Sequence, residues 1–116
     1  MPPMTTLYGI PNCDTVKKAR AWLAERGIAH VFHDFKKQGV PPGRLQAWVD
    51  AAGWERVLNR QGTTWRKLDP LRQAAVVDAS SARALMLAEA SAIKRPIVEW
   101  EDGRITVGFD VAAWSR

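Results

Sequence analysis

The only cysteine of this 116-residue chain, Cys13, is the side chain best suited to covalent chemistry. Strand-forming residues precede it at positions 5–8, and apolar residues at helical spacing follow it at positions 16–23. This order predicts that Cys13 lies at the N-terminus of a helix. Unpaired backbone N–H groups and the positive end of the helix dipole favour an anion there, so the position favours a nucleophilic thiolate.

Charged neighbours act on the same thiol. Lys17 and Lys18, one turn into the predicted helix, favour the thiolate, whereas Asp14 opposes it. The alternative is that Cys13 is a small buried apolar residue, as free cysteines often are. Its position at a strand-to-helix turn favours the nucleophile. One cysteine cannot form an internal disulfide, so a redox cycle needs a thiol from outside the chain.

The composition, with 47% hydrophobic and 25% charged residues, predicts a single domain over residues 1–116. No apolar run is long enough for a membrane span and no signal-peptide pattern opens the chain, so we expect a cytoplasmic protein without membrane contact. The net charge of +5 favours small anionic partners. Its 17 Lys and Arg residues are dispersed and accompany no nucleic-acid-binding motif, so nucleic acid is not an expected partner.

No metal site is predicted. His30 and His33 fall on opposite faces of a predicted strand at residues 28–35, and no further ligand stands at a useful spacing. We expect both histidines to be residues of the sheet or its rim. The six tryptophans are expected in the core rather than on a stacking surface.

The middle of the chain predicts a long helical segment. Residues 36–43 are expected to form a loop, and an amphipathic helix that carries Leu45, Trp48, Val49 and Ala52 is expected to end at Gly53. Residues 54–71 predict several short helices or turns. Another helix is expected to begin near the candidate caps Ser80 and Ser81 and to carry Leu85, Met86 and Ala88.

The C-terminal part predicts a β-hairpin at residues 94–108 with Asp102 and Gly103 at its turn, then a last helix capped by Asp110. The whole order is βαβ, helices, ββα. It predicts an α/β protein with a thioredoxin- or glutaredoxin-like fold, built on a four-stranded mixed sheet with a helical insertion. A parallel βαβ unit places Cys13 at the carboxyl edge of the sheet, where ligands bind in open α/β folds.

Three local patterns occur in order along the chain. They are YGIPNCDTVKKA at residues 8–19, LNRQGTTWRKL at residues 58–68 and IKRPIV at residues 93–98. Together they resemble the arsenate reductase family, ArsC, which also contains Spx, and within it the small YffB-type branch. The resemblance implies the glutaredoxin-like fold and a monothiol reductase with no bound cofactor. It also implies glutathione as co-substrate, with glutaredoxin as a further candidate partner.

The resemblance assigns roles residue by residue. Cys13 matches the family's nucleophilic cysteine, and Asn12 precedes it in the same motif. Arg60 matches the first oxyanion-binding arginine, with Arg66 as its alternative. Arg95 matches the arginine before the family's cis-proline, which is Pro96 here. Asn12, Arg60, Arg95 and Pro96 are therefore the residues that we expect to bind a substrate oxyanion or glutathione.

Three positions depart from the family patterns. Gly9 stands where the arsenate-reducing members have a histidine, and residues 107–109 offer no third arginine. Val16 stands where Spx has the second cysteine of its switch. Two alternatives to a glutathione-dependent thiol reductase remain open. One is an arsenate reductase that uses glutathione and glutaredoxin, and the other is a non-catalytic, Spx-like protein that binds RNA polymerase.

Overall fold

The computed structural model describes residues 4–115. Their strands are β1 (Thr5–Gly9), β2 (His30–Asp34), β3 (Ile97–Glu99) and β4 (Ile105–Val107). Their α-helices are α1 (Asp14–Glu25), α2 (Phe35–Gln38), α3 (Pro42–Ala52), α4 (Trp54–Val57), α5 (Thr63–Lys67), α6 (Pro70–Ala74), α7 (Ala79–Ala88) and α8 (Val111–Trp114), and a 3₁₀ turn covers Ala90–Ala92. None of these helices is long and apolar enough to cross a membrane.

The strands form one mixed sheet in the order β2-β1-β3-β4. β1 runs parallel to β2, with Tyr8 beside His33, because α1 provides the crossover between them. β1 runs antiparallel to β3, with Tyr8 beside Ile97, and β3 runs antiparallel to β4. The predicted fold class is confirmed: an α/β, thioredoxin-like arrangement with a four-stranded mixed sheet and a helical insertion.

The chain divides into two compact units. The first, the sheet unit, contains the chain up to Gln38 and from Arg95 onwards, with the sheet, α1, α2 and α8. The second, the helical unit, is Gly39–Lys94 and contains α3 to α7. From the sequence we expect one domain over residues 1–116. That expectation concerns both units together, and it stays a prediction.

One face of the sheet carries the core of the sheet unit. Helix α1 turns a buried stripe toward this face, and the indole of Trp114 meets Trp22 and Trp100 edge to face at 5.5 and 5.1 Å between ring centroids. Such edge contacts are the favourable geometry for aromatic rings. The buried cluster consists of Leu7, Val16, Ala19, Trp22, Leu23, Val98, Trp100 and Trp114.

The helical unit has its own buried side chains. Helix α3 packs against α4 and α7, and the predicted apolar residues Leu45, Trp48 and Val49 are buried on it. Gly53 ends this helix with a φ of 89°, as predicted from its freedom in that region. The short helices α4, α5 and α6 confirm the prediction for residues 54–71.

The predicted loop at residues 36–43 is wrong at both ends. Its first residues belong to the one-turn helix α2, where the Asp34 carboxylate accepts a hydrogen bond from the Lys36 N–H at 2.9 Å. Its last residues, Pro42 and Gly43, open α3, because a proline at the first helical positions sacrifices no hydrogen bond. β2 is also shorter than predicted, since it begins at His30 and Phe35 already belongs to α2.

The N-cap of α7 is neither of the predicted candidates, Ser80 and Ser81. The N-cap is Asp78, whose carboxylate accepts a hydrogen bond from the Ser81 N–H at 2.9 Å. Ser81 is the third helical residue, and its hydroxyl accepts from the Asp78 N–H at 3.1 Å to complete a capping box. Ala88 is exposed. The buried residues of the helix are Ala82, Leu85 and Met86.

We expect the Asp78 cap to make stability depend on acid. The hydrogen bonds from the Ser81 backbone and hydroxyl hold the pKa of Asp78 below its usual value of 3.8 in the folded chain. A lowered folded-state pKa stabilises the fold above the unfolded pKa and loses this effect as pH falls through the folded pKa. Asp78→Asn keeps an acceptor but cannot titrate. Urea midpoints are measured from pH 7 to pH 2. The midpoint of the wild type should be higher than that of Asp78→Asn at neutral pH, and the difference should shrink in acid. A difference that stays constant with pH contradicts the assignment.

Candidate functional site

Cys13 occupies the N-cap position of the twelve-residue helix α1, as predicted. Its backbone is extended, with φ −102° and ψ 123°, and its carbonyl accepts the hydrogen bond of the Lys17 N–H at 2.9 Å. The thiol does not cap the helix, so the N–H groups of the first turn stay available to a ligand. The side chain is half-buried and packs against the core cluster of the sheet unit. This is a fixed and partly accessible thiol beside a helix dipole.

Asn12 precedes this cysteine in the turn that joins β1 to α1. Its side chain is exposed and has no hydrogen-bond partner among residues 4–115. An amide in this position offers two donors and an acceptor to a bound molecule. The structure therefore leaves Asn12 free to contact a ligand of Cys13.

The peptide bond between Arg95 and Pro96 is cis, which confirms the expectation drawn from the resemblance. Pro96 directly precedes β3, and the last β1–β3 pair toward that end is Tyr8 with Ile97. β1 ends one residue beyond Tyr8 and then leads into the turn of Cys13. The strand pairing therefore brings the Arg95–Pro96 segment and the Cys13 turn to the same edge of the sheet.

Arg95 is half-buried, and its Nη1 atom is buried without a hydrogen-bond partner in the part of the chain that the structure describes. Buried donors are nearly always paired in folded proteins, because an unpaired one loses its water without compensation. An anionic ligand is one way to satisfy such a guanidinium, since its flat fork matches a carboxylate.

Arg60 belongs to the helical unit, whereas Cys13, Asn12, Arg95 and Pro96 all belong to the sheet unit. Its side chain is exposed, and its guanidinium lies 5.6 Å from the ring centroid of Trp54. Arg60 lines a cleft of about 330 Å³ in the helical unit. Its alternative, Arg66, is an exposed residue of α5 and is not among the lining residues.

The same cleft contains two basic residues that sequence reasoning did not select, Arg56 and Lys94. Arg56 stands four residues before Arg60, a spacing that the sequence displays and that could have drawn attention to it. Lys94 is distant in sequence and reaches the cleft because Leu58 pairs with Ile93 in an isolated β-bridge. No local sequence pattern predicts that bridge.

Gly9 is the position where the arsenate-reducing members have histidine. A Cβ atom added there would lie 2.8 Å from Cγ2 of Val16, a contact that real side chains avoid. Val16 is fully buried in α1 and cannot move without disturbing the core. Gly108, in the region without the third arginine, is buried with a φ of 84°, which strains any side chain. The core packing therefore favours glycine at position 9, and the backbone conformation favours glycine at position 108.

His30 and His33 are residues of β2, as predicted. The His33 ring lies 4.9 Å from the Tyr8 ring and 5.9 Å from the Phe35 ring, and Nδ1 of His30 lies 3.0 Å from the Ile28 carbonyl oxygen. Within residues 4–115, no group of three or more His, Cys, Asp or Glu side chains could hold a metal ion.

The sheet order, the cysteine at the N-terminus of α1 and the cis-proline before β3 define a thioredoxin-like protein with one cysteine at its site. The ArsC family model matches residues 8–116, and the chain belongs to the ArsC family. This is the arsenate reductase-like family that the sequence patterns resemble.

Similar proteins support this assignment. The solved structure of a YffB protein is 48% identical, has a TM-score of 0.91 and covers 97% of this chain and 96% of its own. The solution structure of an arsenate reductase (ArsC) related protein from Brucella melitensis is 49% identical, with a TM-score of 0.76, and covers 97% and 92% of the two chains. An uncharacterized protein of Haemophilus influenzae is 39% identical over 107 residues, 92% of each chain.

We expect Gly9→Ala to destabilise the fold by about 1–3 kcal/mol, the usual cost of forcing extra volume into a packed core. The cause is the contact with Val16, so Val16→Ala should relieve it. The double variant should then be more stable than the sum of the two single changes predicts, by about 0.5–3 kcal/mol. Urea denaturation measures the free energy of unfolding of the wild type, the two single variants and the double variant. Gly43→Ala is the control, because nothing lies within 4 Å of a Cβ at that glycine. Additive effects at positions 9 and 16 contradict the contact.

Proposed function

We propose that this protein is a glutathione-dependent monothiol reductase, an oxidoreductase in which Cys13 forms a mixed disulfide. The observation that supports it most directly is the shared sheet edge, where a half-buried thiol at a helix N-terminus accompanies the partly buried Arg95. A thiolate needs a positive environment and a thiol substrate needs an anchor for its charge. The family membership of the chain points to the same reductive chemistry.

The reaction proceeds through two disulfide exchanges. The Cys13 thiolate attacks the glutathionyl sulfur of a substrate disulfide, and the old S–S bond breaks to release the substrate thiolate, which takes up a proton. The mixed disulfide between Cys13 and glutathione is then attacked by the thiolate of a second glutathione. This step releases glutathione disulfide and restores the Cys13 thiolate. In total the substrate is reduced and two glutathiones are joined, so one cysteine suffices. A glutaredoxin is the second candidate for the resolving thiol.

The remaining residues bind and orient the peptide thiol. Arg95 pairs with a carboxylate of glutathione, which satisfies its buried Nη1. Pro96 sets the backbone edge beside the thiol, and Asn12 donates to the peptide. Arg60 belongs to the helical unit and is the second guanidinium that the resemblance assigns to an anionic group.

Turnover of arsenate is expected to be weak. The packing of Gly9 against Val16 leaves no room for a histidine, and Gly108 does not allow an arginine without strain. The site therefore lacks two groups that the resemblance assigns to the arsenate-reducing members. Their absence favours a disulfide over an arsenic oxyanion as the substrate.

The first test concerns Cys13. After incubation with glutathione disulfide, intact-mass spectrometry should show one glutathione adduct on the wild type and none on Cys13→Ser, because serine oxygen does not exchange with disulfides. Cys13→Ser should still bind S-methylglutathione reversibly, since no charged contact is lost. A wild type that forms no adduct, together with RNA polymerase capture that survives Cys13→Ser, overturns the reductase and favours the Spx-like alternative.

The second test concerns Arg95. Arg95→Lys keeps the charge but loses the fork, so the affinity for S-methylglutathione should fall by about 1–3 kcal/mol, the size of a charge-assisted hydrogen bond. Calorimetric titration in the Cys13→Ser background measures it. Arg104→Lys is the matched control, because that arginine is already paired with Asp102 at 3.0 Å. Equal affinities in both variants would mean that Arg95 does not bind the peptide.

A further inference from the structure

The cleft of the helical unit combines charges of both signs. Its volume of about 330 Å³ lies at the lower end of the range of 300–1,000 Å³ that is common for small-molecule sites. Three cationic residues and one carboxylate line it, together with two side-chain amides. These residues are Arg56, Arg60, Lys94, Glu55, Asn59 and Gln61. The cleft therefore carries a formal excess of two positive charges and a negative charge at one point.

The ionic groups of the cleft have no ion pairs within the described chain. Among residues 4–115, none of the cations Arg56, Arg60 and Lys94 lies within 4.0 Å of a carboxylate, and Glu55 has no cationic partner. Among residues 4–115, the guanidinium of Arg60 contacts the Trp54 ring, 5.6 Å from its centroid. The three cations outnumber the one carboxylate, so the cations repel one another, and an anionic ligand reduces that repulsion.

The backbone beneath these side chains is fixed. The Asn59 N–H donates to the Ala92 carbonyl at 2.8 Å, and the Lys94 N–H donates to the Val57 carbonyl at 2.8 Å. These bonds flank the bridge of Leu58 with Ile93, so Lys94 is held beside the segment that leads to Arg60.

The loop that follows is fixed as well. The side-chain Oδ1 of Asn59 accepts a hydrogen bond from the Gln61 N–H at 3.1 Å, and a Cβ at Gly62 would lie 2.8 Å from the side-chain Nδ2 of Asn59. Gly62 therefore leaves room for the Asn59 side chain. A preorganised cleft loses little entropy when a ligand binds.

We propose that this cleft binds the zwitterionic end of a peptide thiol, where a carboxylate and a free ammonium group share one carbon, as in glutathione. Arg56, Arg60 and Lys94 hold that carboxylate, and Glu55 holds the ammonium. The choice of ligand rests on the proposed function. Arg56 and Lys94 then act as specificity residues, which no sequence motif assigned.

The mixed signs favour this peptide over a simple oxyanion. An oxyanion is attracted by the three cations but repelled by Glu55. A zwitterionic end is attracted by the cations through its carboxylate and pairs its ammonium with the Glu55 carboxylate. The amides of Asn59 and Gln61 can serve the peptide groups between the charged ends, because each offers donors and an acceptor.

The test measures noncovalent binding, so that it does not depend on disulfide chemistry. S-methylglutathione is titrated calorimetrically into Cys13→Ser protein and into the same protein with Arg56→Ala and Lys94→Ala. Losing two charge-assisted contacts should weaken binding by about tenfold or more. The control adds Lys67→Ala and Arg72→Ala instead, two exposed residues of the same unit outside the cleft, and removes the same charge. The control should keep the affinity within about twofold, as expected for distant surface charges.

Glu55 provides a test of sign. Glu55→Gln should weaken binding of S-methylglutathione, because the ammonium loses its partner. The same variant should strengthen binding of N-acetyl-S-methylglutathione, whose neutral amide no longer needs the carboxylate and whose anions are repelled by it. A purely structural role of Glu55 would move both affinities in the same direction.

The outcomes separate the two proposals. If Cys13 forms the glutathione adduct but the Arg56 and Lys94 variant binds as tightly as its control, the cleft assignment is wrong and the reductase stands. If wild type forms no adduct while the cleft variants lose affinity as expected, the cleft is a peptide site and the reductase is wrong. Equal weakening in the control variant also overturns the cleft, because net charge alone would then explain the effect.

Discussion

The antiparallel pairing of β1 with β3 is the constraint on which the candidate site depends. Three residue pairs, from Thr6 with Glu99 to Tyr8 with Ile97, connect strands that lie at opposite ends of the sequence. β1 continues into the turn of Cys13, and β3 is entered through the cis peptide of Pro96. A shift of this register by one residue would turn the buried Leu7 and Val98 away from the core. The core therefore fixes which residues meet at the edge.

The thiol is positioned by packing rather than by a cap. Helix α1 buries Val16, Ala19, Trp22 and Leu23, and burial of one large apolar side chain contributes about 1.5–3 kcal/mol. Cys13 packs on the same cluster and makes no capping hydrogen bond. Since the helix cannot rotate without exposing this stripe, its N-terminus stays at the sheet edge. The contact of Val16 with Gly9 extends the same packing to the end of β1 and sets which side chains the site can accept.

The two units carry different parts of the chemistry that we propose. The sheet unit holds Cys13 and Arg95, and the helical unit holds a cleft whose three cations have no carboxylate within 4.0 Å among residues 4–115. The consecutive residues Lys94 and Arg95 join the two units covalently. Covalent exchange needs one thiolate, whereas selection of a peptide thiol needs several fixed charges.

The sequence by itself determined the features that depend on neighbouring residues: the strand-to-helix position of Cys13, the turn at Asp102 and Gly103, and the Asp110 cap of α8. It also carried the family motifs and hence the fold. Only the tertiary structure decided that Lys94 joins Arg60 in one cleft and that Val16 excludes a side chain at Gly9. A cap, a turn or a breaker acts within a few residues, so local patterns reveal it. The cleft depends on a bridge between distant segments, and the Val16 contact depends on how α1 packs back onto β1. Neither appears until the chain has folded.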